Sequence, residues 1–316
     1  RGLRATEKFA AVRFMRAMQS RHFRCEPGIT VSALLRQYRQ PEALSDFLWK
    51  PLCISALNTA ADDADAQVFL NVLRDGLAGP AGASDLLLPR TDFSALFPEP
   101  AAALVRRCGG EVRCGEMVTS LQIRDGGFEL TASGTQRFSH VIIAVAAHRL
   151  EQVAAPIPQL ASQVDLVRRF EYQPIYSVFL QYPPDVCLPA SMMGIRKGLV
   201  QWVFDRGKLS GQHGMMGVVI SARGAHQDIS RDELAQQVHQ QLAKTFSFPE
   251  PQWSQVIGEK RATFSCVPGL QRPTNVTSLK RLFLAGDYTE SPYPATLEAA
   301  VRSGVKCAKY ILDEHA

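Results

Sequence analysis

The sequence lacks any long hydrophobic run. Its most apolar stretch, 141–147, is seven residues, far short of the roughly 18 that a membrane-spanning helix needs. Its seven cysteines include no C-x-x-C pair and no Cys/His spacing of a zinc site. A metal-held or disulfide-framed small domain is therefore excluded. An odd, scattered set of thiols in a large chain points to reduced, mostly buried cysteines in a cytoplasmic setting. No G-x-S-x-G elbow is present, which removes the usual nucleophile turn of a hydrolase. There is no internal repeat or low-complexity tract, and 46% hydrophobic with 21% charged residues excludes a disordered or fibrous chain. A length of 316 residues is enough for a self-sufficient core in one large domain or two ordinary ones. The chain opens on Arg1 rather than Met, so an upstream segment is expected.

Acidic residues are scarce at the start. Residues 1–24 carry seven basic side chains, Arg1, Arg4, Lys8, Arg13, Arg16, Arg21 and Arg24, against Glu7 alone, while the whole chain is only +5. Such an arm suits an anionic membrane surface or a nucleic acid. Leu3, Phe9, Val12, Phe14 and Met18 do not gather on one helical face at about 100° per residue. The expectation is a solvated, partly packed helix, with peripheral contact to the inner membrane as the alternative and no nucleic-acid partner.

The periodicity predicts helices over 6–24 and 29–75, broken near 26–28, 40–41 and 58–65, and another over 101–107. A β region follows: 111–114, a strand through Val118, Leu121 and Ile123, a turn at Asp125-Gly126-Gly127, an alternating strand from Phe128, and a continuous buried strand over 138–146. Residues 148–154 read as helix. Strands are expected at 175–181, 199–204, 216–221 and 253–264. Ser230 with Glu233 three positions on predicts a capping box opening a helix to about 246. The acids Asp62, Asp63 and Asp65 read as a solvated helix start, not a metal loop. His140 and His148 are read as structural.

The most informative feature closes the chain. An apolar strand, 281–287, ends in Gly286-Asp287; a Pro-rich loop and a helix over 295–312 follow. Gly286 lets a ligand approach the backbone, and Asp287 can accept from ligand hydroxyls. The helix start at Ala295-Thr296 offers unpaired N–H groups to phosphate or to an anionic ring edge. An ordinary capped helix after an ordinary strand explains the same pattern, and spacing alone leaves both open.

The segment LFLAGDYTESPYPATLEAAVRSG, 282–304, resembles the C-terminal flavin motif of the amine oxidase and phytoene desaturase superfamily. WKPLCISALNTAADDADAQVFLNVLRDGLAG, 49–79, and SDLLLPRTDFSALFPEPAAAL, 84–104, resemble the squalene-associated flavin enzymes, the hydroxysqualene dehydroxylases. The resemblance implies an α/β, two-domain flavoprotein of glutathione-reductase type with FAD as cofactor and an isoprenoid lipid as substrate. The G-x-G-x-x-G turn with which that family opens is not in this sequence; the nearest spacing is Gly211, Gly214 and Gly217. The chain thus resembles such an enzyme without its first βαβ unit.

By the same resemblance, Gly286, Asp287, Ala295, Thr296, Leu297 and Val118 would hold FAD. Tyr293 matches an aromatic wall beside the flavin ring. Tyr293 and Glu298 are the candidates for the catalytic acid. Trp49 and Asn58, with Tyr293, are candidates to line the substrate pocket. The flavin domain is expected over 106–150 and 263–316, and the substrate domain over 1–105 and 151–262. The implied reaction is reductive dehydroxylation of hydroxysqualene to squalene. A carotenoid-type desaturase and an amine oxidase are the enzymatic rivals, and a cofactor-free lipid-binding fragment is the rival of another class.

Overall fold

The apolar residues of the first helix, Ala5–Ser20, fall on two faces. Ala10, Phe14 and Met18 are buried, and their spacing of four aligns them along one side of a helix. Phe9 and Val12 point the other way and are exposed. That split explains why a single-face pattern is absent from the sequence. The helix opens on a reciprocal Arg4–Glu7 box: Glu7 Oε2 accepts from the Arg4 backbone N–H at 2.7 Å, and the Arg4 guanidinium pairs with Glu7 Oε1 at 2.9 Å.

The computed structural model describes residues 3–80 and 82–314, so Arg1 of the basic segment lies outside the described residues. The chain forms two compact units, each from two separate stretches: Arg1–Gly110 with Tyr172–Pro268, and Glu111–Glu171 with Gly269–Ala316. The divisions fall at 110, 171 and 268, where the sequence set them at 105, 150 and 262. Residues 151–171, with the helices Ala147–Ala154 and Ala161–Arg168, therefore group with the second unit.

The first unit joins a helical block to a sheet. Its early helices are Ala5–Ser20, Val31–Gln37, Lys50–Leu57 and Ala66–Leu77, with a π-helical turn at Ser45–Trp49. Asp65 caps Ala66–Leu77 by accepting from Val68 N–H at 2.9 Å, while Asp62 and Asp63 stand exposed in the turn before it, so the helix start belongs to the last acid of the run alone. That helix buries Phe69, Leu70 and Leu73, each contributing about 1.5–3 kcal/mol by burial. Phe93–Leu96 and Pro98–Arg107 end this stretch.

The sheet has five strands, ordered Met192–Gly194, Trp202–Asp205, Met215–Ser221, Tyr172–Gln181 and Trp253–Phe264, all antiparallel. Val178, Leu180, Met216 and Val218 bury one face against Leu234, Ala235, Val238 and Leu242 of the helix Arg231–Phe246. Ser230 caps that helix at Glu233 N–H, 3.1 Å away. The Glu233 carboxylate bonds Gln237 instead. The exposed edge strand carries Glu259, Lys260 and Arg261, charges that discourage edge-to-edge pairing.

The second unit holds an antiparallel meander, Ser120–Arg124, Gly127–Thr131 and Thr135–Phe138, and a parallel pair, Val141–Ile143 with Leu282–Leu284. Two strand expectations are corrected. Residues 111–114 form no ladder, because local apolar content supplies no partner. The run 138–146 is not one buried strand: Phe138 ends the meander, Ser139-His140 interrupts, and Ile142 is exposed. The cysteines also differ from expectation. Cys53, Cys266 and Cys307 are buried, but Cys108, Cys114 and Cys187 are exposed, and all are free thiols.

Candidate functional site

The strand Leu282–Leu284 runs parallel to Val141–Ile143, with Leu282 opposite Val141 and Leu284 opposite Ile143. All three of its side chains are buried. The ladder continues one residue, Ala285 N–H donating to Ile143 O at 2.9 Å. The next two residues, Gly286 and Asp287, leave the sheet at its carboxyl end.

The strand end is tied to the helix Leu297–Asp313. Gly286 N–H donates to Ser303 Oγ at 2.6 Å, and Ser303 in turn donates to Ala300 O at 3.0 Å. Cys307 Sγ lies 3.3 Å from Leu284 O, and Phe283 stacks on Tyr310 at 6.0 Å. Gly286 has φ +154°, and a Cβ built there would meet the Tyr288 ring at 2.5 Å. Tyr288 is fully buried. The space the sequence reading reserves for a ligand is thus filled, in the Cβ direction, by this ring. The glycine serves internal packing first.

The loop after Asp287 is held by residues that local sequence patterns do not single out. The Arg272 guanidinium donates to the carbonyls of Asp287 at 3.4 Å and Tyr293 at 3.0 Å, and to that of Ser291. Asn275 Nδ2 donates to Leu284 O at 2.9 Å, and Thr289 Oγ1 donates to Gly286 O at 2.9 Å. The only sequence signal for Arg272 and Asn275 is that they stand in the short segment 272–275 shortly before an apolar strand, and Thr289 has none.

Asp287 is half-buried. Burial pushes its carboxyl above the ordinary range, against the opposing pull of the Tyr288 N–H, the Arg272 charge and its own N–H. Desolvation therefore outweighs the donors that the chain itself supplies. Asn275 Oδ1 is buried without a hydrogen-bond partner, enclosed in the protein and out of reach of a ligand. Asp287, still partly exposed at the strand end, is the carboxylate that could accept from the hydroxyls of a polyol such as the ribityl chain of a flavin.

Thr296 caps the helix, its Oγ1 accepting from Ala299 N–H at 3.2 Å and donating to Pro294 O at 3.3 Å. Ala295 is half-buried and Leu297 exposed. Val118 is exposed on the segment leading into Ser120–Arg124. Tyr293 is half-buried with the Arg302 guanidinium over its ring at 5.1 Å, and Arg302 pairs with Glu298 at 2.5 Å. Glu298 is thus an exposed salt-bridge acceptor. All these residues belong to the second unit.

Trp49 and Asn58 belong to the first unit, and the structure does not bring them to a ligand surface. Trp49 is 1% exposed, packs on Phe14 at 5.2 Å and donates its indole N–H to Gln40 Oε1 at 3.0 Å. Asn58 takes a left-handed φ of 47° at the end of Lys50–Leu57. Its Oδ1 accepts from Ala222 N–H at 2.7 Å, and its Nδ2 donates to Thr263 Oγ1 at 2.9 Å. It stitches the helical block to the sheet. Beside the π-helical turn lies a cleft of about 260 Å³, lined by Pro51, Ile54, Ile195 and Trp202 and by five polar or charged side chains, Asp46, Lys50, Arg196, Lys197 and Gln201. Sequence reasoning singled out none of them.

Residues 64–312 match the model of the flavin containing amine oxidoreductases. The chain is 30% identical over 281 residues to the hydroxysqualene dehydroxylase of Rhodopseudomonas palustris, covering 85% of this chain and 63% of that protein. It therefore spans less than two thirds of that relative's length. Over 110 residues, 33% of the chain, it is 28% identical to the zeta-carotene desaturase of Arabidopsis thaliana, covering 20% of that protein. Among solved structures, cyclohexylamine oxidase from Brevibacterium oxydans superposes with a TM-score of 0.65 at 16% identity, covering 91% of this chain and 68% of that one. This last likeness is one of fold.

Proposed function

Because the chain belongs to the flavin-containing amine oxidoreductase family, we propose that it is part of an FAD-dependent oxidoreductase that removes the hydroxyl of hydroxysqualene to leave squalene. The observation that carries this reading is the likeness to the Rhodopseudomonas palustris enzyme along most of the chain. The second unit is then the cofactor part, and the first unit the substrate part.

The reaction balances simply. The allylic C–O bond breaks, a proton joins the departing hydroxyl to form water, and a hydride closes the delocalised cation. When bound, reduced flavin supplies that hydride. The chain's own residues hold and shield. Asp287 and the Gly286 backbone would hold the ribityl chain, the helix start at Ala295, Thr296 and Leu297 would offer its positive dipole end to the anionic ring edge, and Val118 would contact the adenine. Tyr293 is the better of the two acid candidates, because Glu298 commits its carboxylate to Arg302. The cleft beside the π-helical turn offers apolar surface from Pro51, Ile54, Ile195 and Trp202 to an isoprenoid chain, between the charged side chains of Asp46, Lys50, Arg196 and Lys197.

The test supplies the whole oxidoreductase of which this chain is proposed to be part with FAD and a reductant, then offers hydroxysqualene and, separately, phytoene without reductant. Squalene from the first, identified by mass, is the expected product. A desaturated polyene from the second, with no squalene from the first, replaces this reading with the desaturase reading that the Arabidopsis thaliana likeness favours.

A further inference from the structure

The basic excess at the start of the chain takes on a definite geometry in the helix Ala5–Ser20. Its inward side is set by Glu7, Ala10, Phe14 and Met18, all buried. At 100° per residue, Phe9, Val12, Arg13 and Arg16 lie on the opposite side. Phe9 is 74% exposed and Val12 48%. With Thr6 and Ala10 these four line a shallow groove on the helix surface. The helix contains one acid, Glu7, and it is turned inward and bonded to Arg4. The outward face therefore presents an aromatic ring and a branched aliphatic side chain flanked by cations, with no negative charge among them.

Neither feature alone specifies a partner. A single exposed phenylalanine is ordinary, and exposed arginines are ordinary. Their interleaving on one rigid face is the pattern of an interfacial helix: the ring enters the acyl boundary while the cations meet phosphate headgroups. The exposed apolar segment 86–97 offers a contrast. Leu86, Leu87, Phe93 and Phe97 are more numerous there, but Asp85, Arg90 and Asp92 mix both signs around them. Charge complementarity to an anionic bilayer belongs to the helix.

We propose that the outward face of Ala5–Ser20, through Phe9, Val12, Arg13 and Arg16, docks this protein on an anionic phospholipid surface. The inference deepens the isoprenoid reading and rests on it only for its purpose, since a substrate nearly insoluble in water must be collected from a bilayer. The helix is anchored by its other side, so docking requires no unfolding of the core.

The experiment measures co-sedimentation of the 316-residue chain with phosphatidylcholine vesicles containing phosphatidylglycerol, against pure phosphatidylcholine vesicles, across a salt series. Binding is expected only to the anionic vesicles and should weaken as salt rises. Phe9→Ser should lower the partition about ten-fold. Arg13→Gln with Arg16→Gln should lower it about 25-fold, at roughly five-fold per cation. Arg106→Gln with Arg107→Gln, and Leu87→Ser, should match the parent within about two-fold. Circular dichroism should be unchanged in all variants, because the altered side chains lie outside the core. Parent-like binding by the Phe9 and Arg13/Arg16 variants overturns the proposal. So does equal loss in the Arg106/Arg107 or Leu87 variants, and so does light scattering that shows Phe9→Ser dissolving a dimer. The assay contains no isoprenoid and no turnover, so its failure leaves the dehydroxylation reading standing, and the reverse also holds.

Discussion

Replacing Gly286 by Ala should destabilise the second unit out of proportion to the one methyl group added. Two separate costs arise at this position. The backbone sits at φ +154°, a region that L-residues occupy only under strain, which costs about 1–3 kcal/mol. The new Cβ would also lie 2.5 Å from Tyr288 Cε1 and 2.6 Å from Cδ1. That ring is fully buried and cannot swing into solvent. Overpacking of this kind costs about 1–3 kcal/mol. The sum, about 2–6 kcal/mol, is a large share of a typical stability of about 5–15 kcal/mol.

Urea denaturation measures the total, and a double-mutant cycle separates its parts. In a Tyr288→Val background the ring is gone, so only the backbone strain should remain. The two substitutions should then couple by about 1–3 kcal/mol. If Gly286→Ala costs less than about 1 kcal/mol, or costs the same in both backgrounds, the packing described at the strand end is wrong. The placement of Asp287 would fall with it, because Asp287 is aimed by the same two residues.

Asp287→Asn should divide stability from cofactor binding. Burial raises this carboxyl from an ordinary value of 3.8, so the ionised group costs the folded state stability as pH rises past that value. The variant should therefore resist urea better than the parent at neutral pH and lose that advantage in acid, while Asp287→Ala, made in the whole oxidoreductase of which this chain is proposed to be part, should weaken flavin affinity about 10- to 150-fold, as removal of a charge-assisted bond of about 1.5–3 kcal/mol implies. His226 has the opposite sign. It is buried edge-on to Tyr176 at 5.0 Å with Nε2 unpartnered, and burial lowers its pKa from 6.5. Its stability contribution is complete above that value and is lost as pH falls below it through the lower folded-state pKa, so His226→Phe should flatten the urea-midpoint profile on the acid side of about pH 6.5. Under native conditions a thiol reagent should modify Cys108, Cys114 and Cys187 quickly, while Cys53, raised to about 12 by burial and then by Cys266, reacts only on unfolding.

The closing motif was legible because each of its parts is local. Leu-Phe-Leu-Ala makes a buried strand, Gly-Asp ends it, two prolines hold a loop open, and an amphipathic run makes the last helix. The helix bounds differ from expectation by one or two residues, the ordinary fraying of ends, and the strand closes three residues early, at Leu284, because Gly286 and Asp287 have already left the sheet. What escaped is non-local. Arg272 acts on backbone carbonyls 15 to 21 positions away, and a carbonyl leaves no trace in residue identity. The π-helical turn at Ser45–Trp49 has no composition signature. Trp49 and Asn58 stand in a segment whose resemblance is clear, but resemblance does not tell which way a side chain points. Trp49 turned inward because Gln40 satisfies its N–H there, and Asn58 because three elements needed one shared donor and acceptor. The opening helix misled in another way. Its apolar residues serve two faces, and a test for one face returns nothing.

The two-stretch construction of the second unit has a consequence for ligand binding. Val118 and Asp287 come from separate stretches of the chain, 111–171 and 269–316, that fold into one unit. A ligand that touches both stretches must stabilise the docking of one on the other. At a hundred-fold excess over Kd such a ligand contributes about 2.7 kcal/mol to the folded state. Amide hydrogen exchange with and without FAD resolves where that stabilisation appears. Protection should rise in Ser120–Arg124, Leu282–Leu284 and the first turn of Leu297–Asp313, because their opening releases the ligand. Tyr172–Gln181, in the other unit, should exchange as before. If FAD instead slows exchange around Ser45–Leu57 and leaves 282–304 unaltered, the cofactor residues have been assigned to the wrong unit. The cleft at Pro51 and Trp202 would then be the place to look for it.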